Sequence, residues 1–248
     1  MREYKNIISL SKNGRGIWDL DTTKGCTSGL KENSKGCYGD CYAFRTANRY
    51  GIDFSKTILR SFENEAHKNR IIRQIEKIDM DFIRIGCAGD PSENWQHTIN
   101  IIKSIRNKNQ LSLFDISSKK QIVIITKHWK NLTIKQLETL STFNICINTS
   151  VSALDNESLL KNSLEQYEAL KPYCKSILRI VSCDFNLKND KTIDTVFRPT
   201  SKNPLIIDGI INVKKMSFMK NKALVSKFNK KTFLGKCNNC LEMCGLNK

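Results

Sequence analysis

Long apolar runs are missing from this 248-residue chain. No stretch approaches the roughly 20 consecutive apolar residues that a bilayer-crossing helix needs, so a membrane span is not expected. The opening Met1-Arg2-Glu3-Tyr4-Lys5-Asn6 has no secretory h-region, which predicts an intracellular, cytoplasmic protein. Histidine is scarce as well: His67, His97 and His128 are scattered and form no HxxxH-type pair, so they are expected to be surface or structural residues. The His/Glu pattern that zinc hydrolysis and deamination use is therefore absent. No internal repeat and no low-complexity linker interrupts the chain. Acidic residues all but vanish from the tail, where residues 201–248 hold ten lysines against Asp208 and Glu242.

What remains is an ordinary globular composition, 40% hydrophobic, with enough length to bury a proper core. The formal charge of +17 points to a polyanionic partner or substrate such as DNA, RNA or a nucleotide. The competing explanation is compositional drift in a Lys-, Asn- and Ile-rich chain, because the lysines are scattered and form no dense arm.

Cysteine is plentiful. Ten thiols in a reducing compartment are poorly explained by disulfides. Six fall into two groups: Cys26, Cys37 and Cys41 near the start, and Cys237-x2-Cys240-x3-Cys244 at the end. Such triads predict metal or cluster ligation, since three thiolates can hold an iron–sulfur cluster and leave one iron open. Cys37 and Cys41, four apart, can project from one loop-to-helix junction, and Gly25 and Gly36 let the backbone wrap closely beside Cys26 and Cys37. The terminal group could hold a second iron–sulfur cluster, or zinc with a fourth ligand from elsewhere. Cys146, Cys174 and Cys183 lie in or beside apolar runs and are expected to pack as small hydrophobes.

Between the two groups the chain alternates in period. Runs at 16–20, 81–87, 121–126, 143–148, 176–181 and 204–208 are short and rich in β-branched residues, as strands of a parallel sheet are. Helical periodicity fills the gaps. One helix is capped by Ser61 and carries Ile71, Ile72, Ile75 and Ile78 on one face, and others cover 94–106, 133–140 and 157–171. A further helix starts at Cys41. Strands alternating with helices predict an α/β fold built on βαβ units, either a partial barrel or an open doubly wound sheet, with ligands at the C-terminal strand ends. Residues 1–208 form this domain, and 209–248 a basic extension carrying the second cysteine group.

Several residues stand at those strand ends. Gly86-Cys87-Ala88-Gly89-Asp90-Pro91 follows the second strand; it suits a ligand-contacting turn or an ordinary βα turn with a helix cap. Asn148, Thr149 and Ser150 close the fourth strand. Arg179 lies within the fifth, where a guanidinium needs an anionic partner, either a ligand or an acid of the protein.

The strand, the cysteine loop and the β/α units that follow resemble the radical S-adenosylmethionine (SAM) superfamily. Its usual triad is Cys-x3-Cys-x2-Cys; here Cys37 and Cys41 match, Phe44 occupies the third position, and Cys26 stands in as the third ligand. A phage-associated branch is more similar, with Trp18, Gly25-Cys26-Thr27, Gly36-Cys37 and Cys41-Tyr42-Ala43 in that order. Ile125-Thr126-Lys127 and Thr149-Ser150-Val151 also resemble its strand ends, so the likeness covers roughly residues 16–183, with the cysteine loop its most specific part. The resemblance implies a partial parallel (β/α)6-type barrel. It also implies a [4Fe–4S] cluster on Cys26, Cys37 and Cys41, with SAM contacted by Gly86, Gly89, Asp90, Asn148, Ser150 and Arg179. An electron donor would feed reductive SAM cleavage, starting radical chemistry on an anionic, nucleic-acid-related substrate. The altered third position supports a second expectation, a noncatalytic iron–sulfur or zinc protein that binds nucleic acid on the same fold.

Overall fold

The computed structural model describes residues 3–13, 16–30, 41–106, 120–151, 157–181 and 233–235. Its strands are β1 (Leu10–Lys12), β2 (Trp18–Leu20), β3 (Thr23–Lys24), β4 (Ile58–Leu59), β5 (Phe82–Ile85), β6 (Gln121–Thr126), β7 (Ile145–Val151), β8 (Lys175–Val181) and β9 (Phe233–Gly235). The α-helices are α1 (Tyr42–Arg49), α2 (Glu65–Glu76), α3 (Trp95–Arg106), α4 (Ile134–Ser141) and α5 (Glu157–Leu170).

Seven strands form one sheet in the order β1-β2-β5-β6-β7-β8-β9. All neighbours are parallel except the β1–β2 pair, which is antiparallel. The fold is thus α/β with six parallel strands, and among the described strands the order never reverses. β3 and β4 make a separate two-stranded antiparallel sheet. The sixth parallel strand is β9, from the C-terminal extension; the run expected at 204–208 lies outside the described residues. None of the described helices is long and apolar enough to cross a membrane.

Parallel strands are covered on both faces, and this one alternates accordingly. Ile83, Ile85, Ile122, Ile124, Ile145 and Ile147 turn one way and pack with Ile71 and Ile75 of α2, Ile99, Ile102 and Ile105 of α3, and Leu137 and Leu140 of α4. Phe82, Val123, Cys146 and Ile177 turn the other way and make a smaller cluster with Ile17. Cys146 therefore packs as a small hydrophobe, and Cys174 packs against the main core. Farther along this second face stand Arg84, Asn148 and Ser150, with Arg179 in register beside Ser150. Polar residues thus replace apolar ones toward the C-terminal strand ends.

Helix starts follow local chemistry with one correction. The cap of α2 is Asn64, whose side chain accepts from the His67 N–H at 2.8 Å. Ser61 is instead tied to the N-terminal segment, donating its N–H to the Asn6 carbonyl at 2.8 Å and accepting from the Ile8 N–H. α4 begins with a capping box between Thr133 and Gln136. The three histidines are structural: the His67 ring accepts from the Glu63 N–H, His97 bonds the Arg60 carbonyl oxygen, and His128 is fully buried.

Candidate functional site

The cysteine loop leaves β3 at Gly25, and its neighbours fix it from two sides. Gly25 N–H donates to the Ala88 carbonyl at 2.9 Å, and Gly25 forms a parallel bridge with Gly89. On the other side Cys26 N–H donates to the Phe54 carbonyl at 2.9 Å, and Thr27 exchanges bonds with Thr57. Backbones approach so closely that a Cβ on Gly25 would collide with the Lys56 carbonyl, and one on Gly89 would lie 2.7 Å from the Thr23 carbonyl oxygen. Gly25 also has φ +76, which disfavours any side chain.

The turn after β5 is held from beneath by Asp21. Its buried carboxylate accepts three main-chain N–H bonds, from Gly86 at 3.1 Å, Cys87 at 2.8 Å and Ala88 at 3.2 Å. Burial nevertheless pushes the Asp21 pKa up. Gly86 has φ +95, and a Cβ there would strike the Ile125 carbonyl. Two glycines are thus needed by space as well as by conformation.

Asp90 closes the same turn. It caps the 3-10 helix Pro91–Asn94 by accepting from Ser92 N–H at 2.9 Å and Ser92 Oγ at 2.7 Å. It also accepts from Thr126 Oγ1 and Lys127 N–H, each at 2.7 Å, which latches the ends of β5 and β6 together. Burial raises its pKa. The capping alternative for Asp90 is thus the arrangement seen, and four donors of the protein share its carboxylate.

Cys26 and Cys41 reach one small apolar cluster, formed by Cys26, Ala43, Ala47 and Phe54, with Cys41, Phe44 and Trp129 packed against it. Cys26 Sγ donates to Glu93 Oε1 at 3.4 Å, and the same oxygen accepts from Ser28 N–H at 2.7 Å. Burial first, then the carboxylates of Asp90 and Glu93, pushes the Cys26 pKa up, so the thiol form is favoured. Cys41 is the N-cap of α1, its Sγ accepting from Phe44 N–H at 3.4 Å. Phe44 stacks edge-on to Phe54. Tyr4, half-buried nearby, has its pKa pushed up to about 12 by burial, then by Asp21 and Cys41.

The remaining candidates divide. Asn148 and Ser150 are buried on the face opposite the helices; Asn148 Oδ1 accepts from Cys146 Sγ at 3.5 Å. Asn148 Nδ2 and Ser150 Oγ have no partner among the described residues. A buried amide and hydroxyl left that way cost free energy. Arg179 is the register partner of Ser150 on β8. Cys37, Cys183, Cys237, Cys240 and Cys244 lie outside the described residues. Among the described residues no group of three His, Cys, Asp or Glu stands ready around one metal position. The described donors fit a thiolate-bound group in part: two cysteines from separate elements share one apolar cluster beside a backbone-rich turn.

Sequence reasoning passed over Asp19, Asp21, Arg84, Glu93 and Trp129. Arg84 on β5 forms a buried pair with Asp19 on β2, Nε to Oδ1 at 2.8 Å, which neutralises the sheet face below the turn. Trp18-Asp19-Leu20-Asp21 carried a legible hint, since carboxylates alternating through an apolar strand demand partners. Comparison with protein-family models, with curated proteins and with solved structures gives no match.

Proposed function

We propose that this chain is a radical-SAM-like iron–sulfur enzyme, with its parallel strands curved as a partial (β/α)6-type barrel. Cys26, Cys37 and Cys41 would hold a [4Fe–4S] cluster. The observation that carries this reading is the junction of Gly25-Cys26 with Ala88-Gly89. It joins the cysteine loop to the glycine turn at the C-terminal end of a parallel sheet. When bound, the cluster would supply SAM chelation and one-electron cleavage of its sulfonium.

The protein's own part is binding and exclusion of water. Gly86 and Gly89 allow a ligand to approach the backbone, while Asp21 and Asp90 hold that turn rigid. Asn148 and Ser150 offer a buried donor and a hydroxyl to the polar part of SAM, and Arg179, one strand over, would meet its carboxylate or a substrate phosphate. The +17 charge supports an anionic, nucleic-acid-related substrate. Cys237, Cys240 and Cys244 would take a second cluster or zinc.

The second reading, a noncatalytic iron–sulfur or zinc protein that binds nucleic acid, is favoured by one observation: Cys26 sits as a thiol against Glu93 where Phe44 has removed the usual ligand. One experiment separates the two. After anaerobic reconstitution, reduction with dithionite in the presence of SAM should yield 5′-deoxyadenosine, and Cys41→Ala should abolish it. Iron and sulfide uptake without SAM binding or cleavage rejects the enzyme in favour of the binding protein.

A further inference from the structure

Lys24 stands at the mouth of the glycine turn. It pairs with Ile58 across β3 and β4, and its Cα lies so near the turn that a Cβ on Gly89 would come within 2.9 Å of it. The residue is half-buried, with its ammonium over the Tyr4 ring, 5.3 Å from the centroid. Among the described residues that ammonium makes no ion pair and no hydrogen bond. Two other described lysines lie over aromatic rings, and both differ. Lys12, over Trp18, is exposed to water, and Lys171, over Tyr167, is bound to Glu168 at 2.5 Å.

The charges around Lys24 are Asp21, Asp19 and Arg60, and all are engaged elsewhere. Asp21 accepts the three N–H groups of the turn, while Asp19 pairs with Arg84 and accepts from Asn13 Nδ2 at 3.0 Å. Arg60 donates only to neutral groups, the carbonyls of Lys5, Ile7 and Asp21 and the Ser9 hydroxyl. Three cations, Lys24, Arg60 and Arg84, thus face two carboxylates. Tyr4 is set in place beside them. Glu3 pairs with Lys56 at 2.6 Å and the Lys5 carbonyl accepts from Arg60, so both flanks of Tyr4 are tied. Its ring stands edge-on to Phe54, centroids 6.4 Å apart, and its hydroxyl has no hydrogen-bond partner among the described residues.

We infer that Lys24 and Tyr4 form a phosphate-binding site at the mouth of the glycine turn, where the ammonium and the phenol hydroxyl donate to one phosphate group. A half-buried ammonium without an anion of its own is satisfied by one that binds. Lysine meets phosphate as a compact point charge with three donors, and the tyrosine hydroxyl adds a fourth. The +17 charge of the chain draws phosphate-bearing polyanions toward it. Assigning that phosphate to the substrate rests on the anionic, nucleic-acid-related reading proposed above; the site itself needs neither a cluster nor SAM.

Lysine footprinting of the full chain, without added metal, tests this. Brief acetylation with an N-hydroxysuccinimide ester, read lysine by lysine by mass spectrometry, should find Lys24 protected saturably by inorganic phosphate at constant ionic strength. The exposed Lys77 and Lys135 should react as before. Tyr4→Phe keeps the ring beneath the ammonium and removes one donor, so half-protection should need several-fold more phosphate. Adenosine monophosphate and a short single-stranded DNA, compared at equal phosphate concentration, identify the source: whichever protects Lys24 better, nucleotide or polymer, carries the phosphate. Lys24 left unprotected, protected equally by chloride or acetate, or protected alike in Tyr4→Phe overturns the inference. Protection in a protein that fails to cleave SAM rejects the enzyme and leaves the phosphate site standing.

Discussion

Acid should destabilise this protein through one imidazole. His128 is fully buried beside Trp95, its Nε2 shares a hydrogen bond with Thr149 Oγ1 at 2.9 Å, and its Nδ1 has no partner among the described residues. Burial pushes its pKa down from 6.5 to about 3. The unfolded chain therefore binds a proton that the folded one refuses, throughout the window between those values. In that window stability rises with pH: it is full above about pH 7 and is lost progressively as pH falls toward 3. The loss from this single group is roughly 2 kcal/mol by pH 5, a substantial part of a typical domain's 5–15 kcal/mol. Asp21 and Asp90, whose pKa values are raised, act in the opposite sense, each favouring the folded state at low pH. A comparison with His128→Asn removes their contribution, since both proteins share it. Asparagine tolerates the φ of +55 better than most residues, and losing the Thr149 bond costs about 1 kcal/mol at every pH. Urea unfolding at pH 5, 6, 7 and 8 should give wild-type stability that falls by roughly 2 kcal/mol more than that of the variant. Parallel pH profiles for the two proteins would falsify the assignment of a neutral, buried His128.

Other outcomes follow from the packing around the turn. Asp21→Ala should cost about 1–3 kcal/mol in urea unfolding and speed amide exchange at Gly86, Cys87 and Ala88, which lose their shared acceptor. Gly89→Ala, whose new Cβ would lie 2.8 Å from the Gly25 carbonyl oxygen, should destabilise by roughly 1–3 kcal/mol and lower iron uptake, because the cysteine loop must move to make room. Arg84→Met alone should cost about 3–5 kcal/mol by leaving the Asp19 charge, still bonded by Asn13 Nδ2, buried without its cation, whereas Arg84→Met with Asp19→Leu should recover much of it in the same unfolding assay. Should a nucleic acid bind, its affinity should fall steeply with salt; a flat response in a titration from 50 to 200 mM would remove phosphate contacts from the picture.

The strands were the most legible part of the sequence. β5, β6, β7 and β8 are covered on both faces, so their residues form nearly continuous apolar runs that survive without any alignment. β1, β3, β4 and β9 are two or three residues long and carry no periodicity to detect. The cap of α2 was misplaced because Ser61 and Asn64 both precede acidic residues, and the choice was made by a distant partner, Asn6. In the site, Asp90 ahead of Pro91 spelled a cap, and the glycines on either side of Cys87 spelled a close approach. Asp21, Glu93 and Trp129 were opaque for one reason. Each acts on a residue far along the chain, 65 positions away for Asp21 and Gly86, and nothing local marks such a pairing.

The two-sided grip on Gly25 and Cys26 also bears on how the chain matures. During synthesis the cysteine loop is made first, while Phe54 and Ala88, which hold it, are still to be added. At about 5–20 residues per second, Ala88 follows Cys26 by several seconds. A fragment ending before Ala88 would contain Cys26 yet lack half of the grip that orients it. A peptide cut before Ala88 therefore lacks one of the two contacts that fix Gly25 and Cys26 in the whole domain.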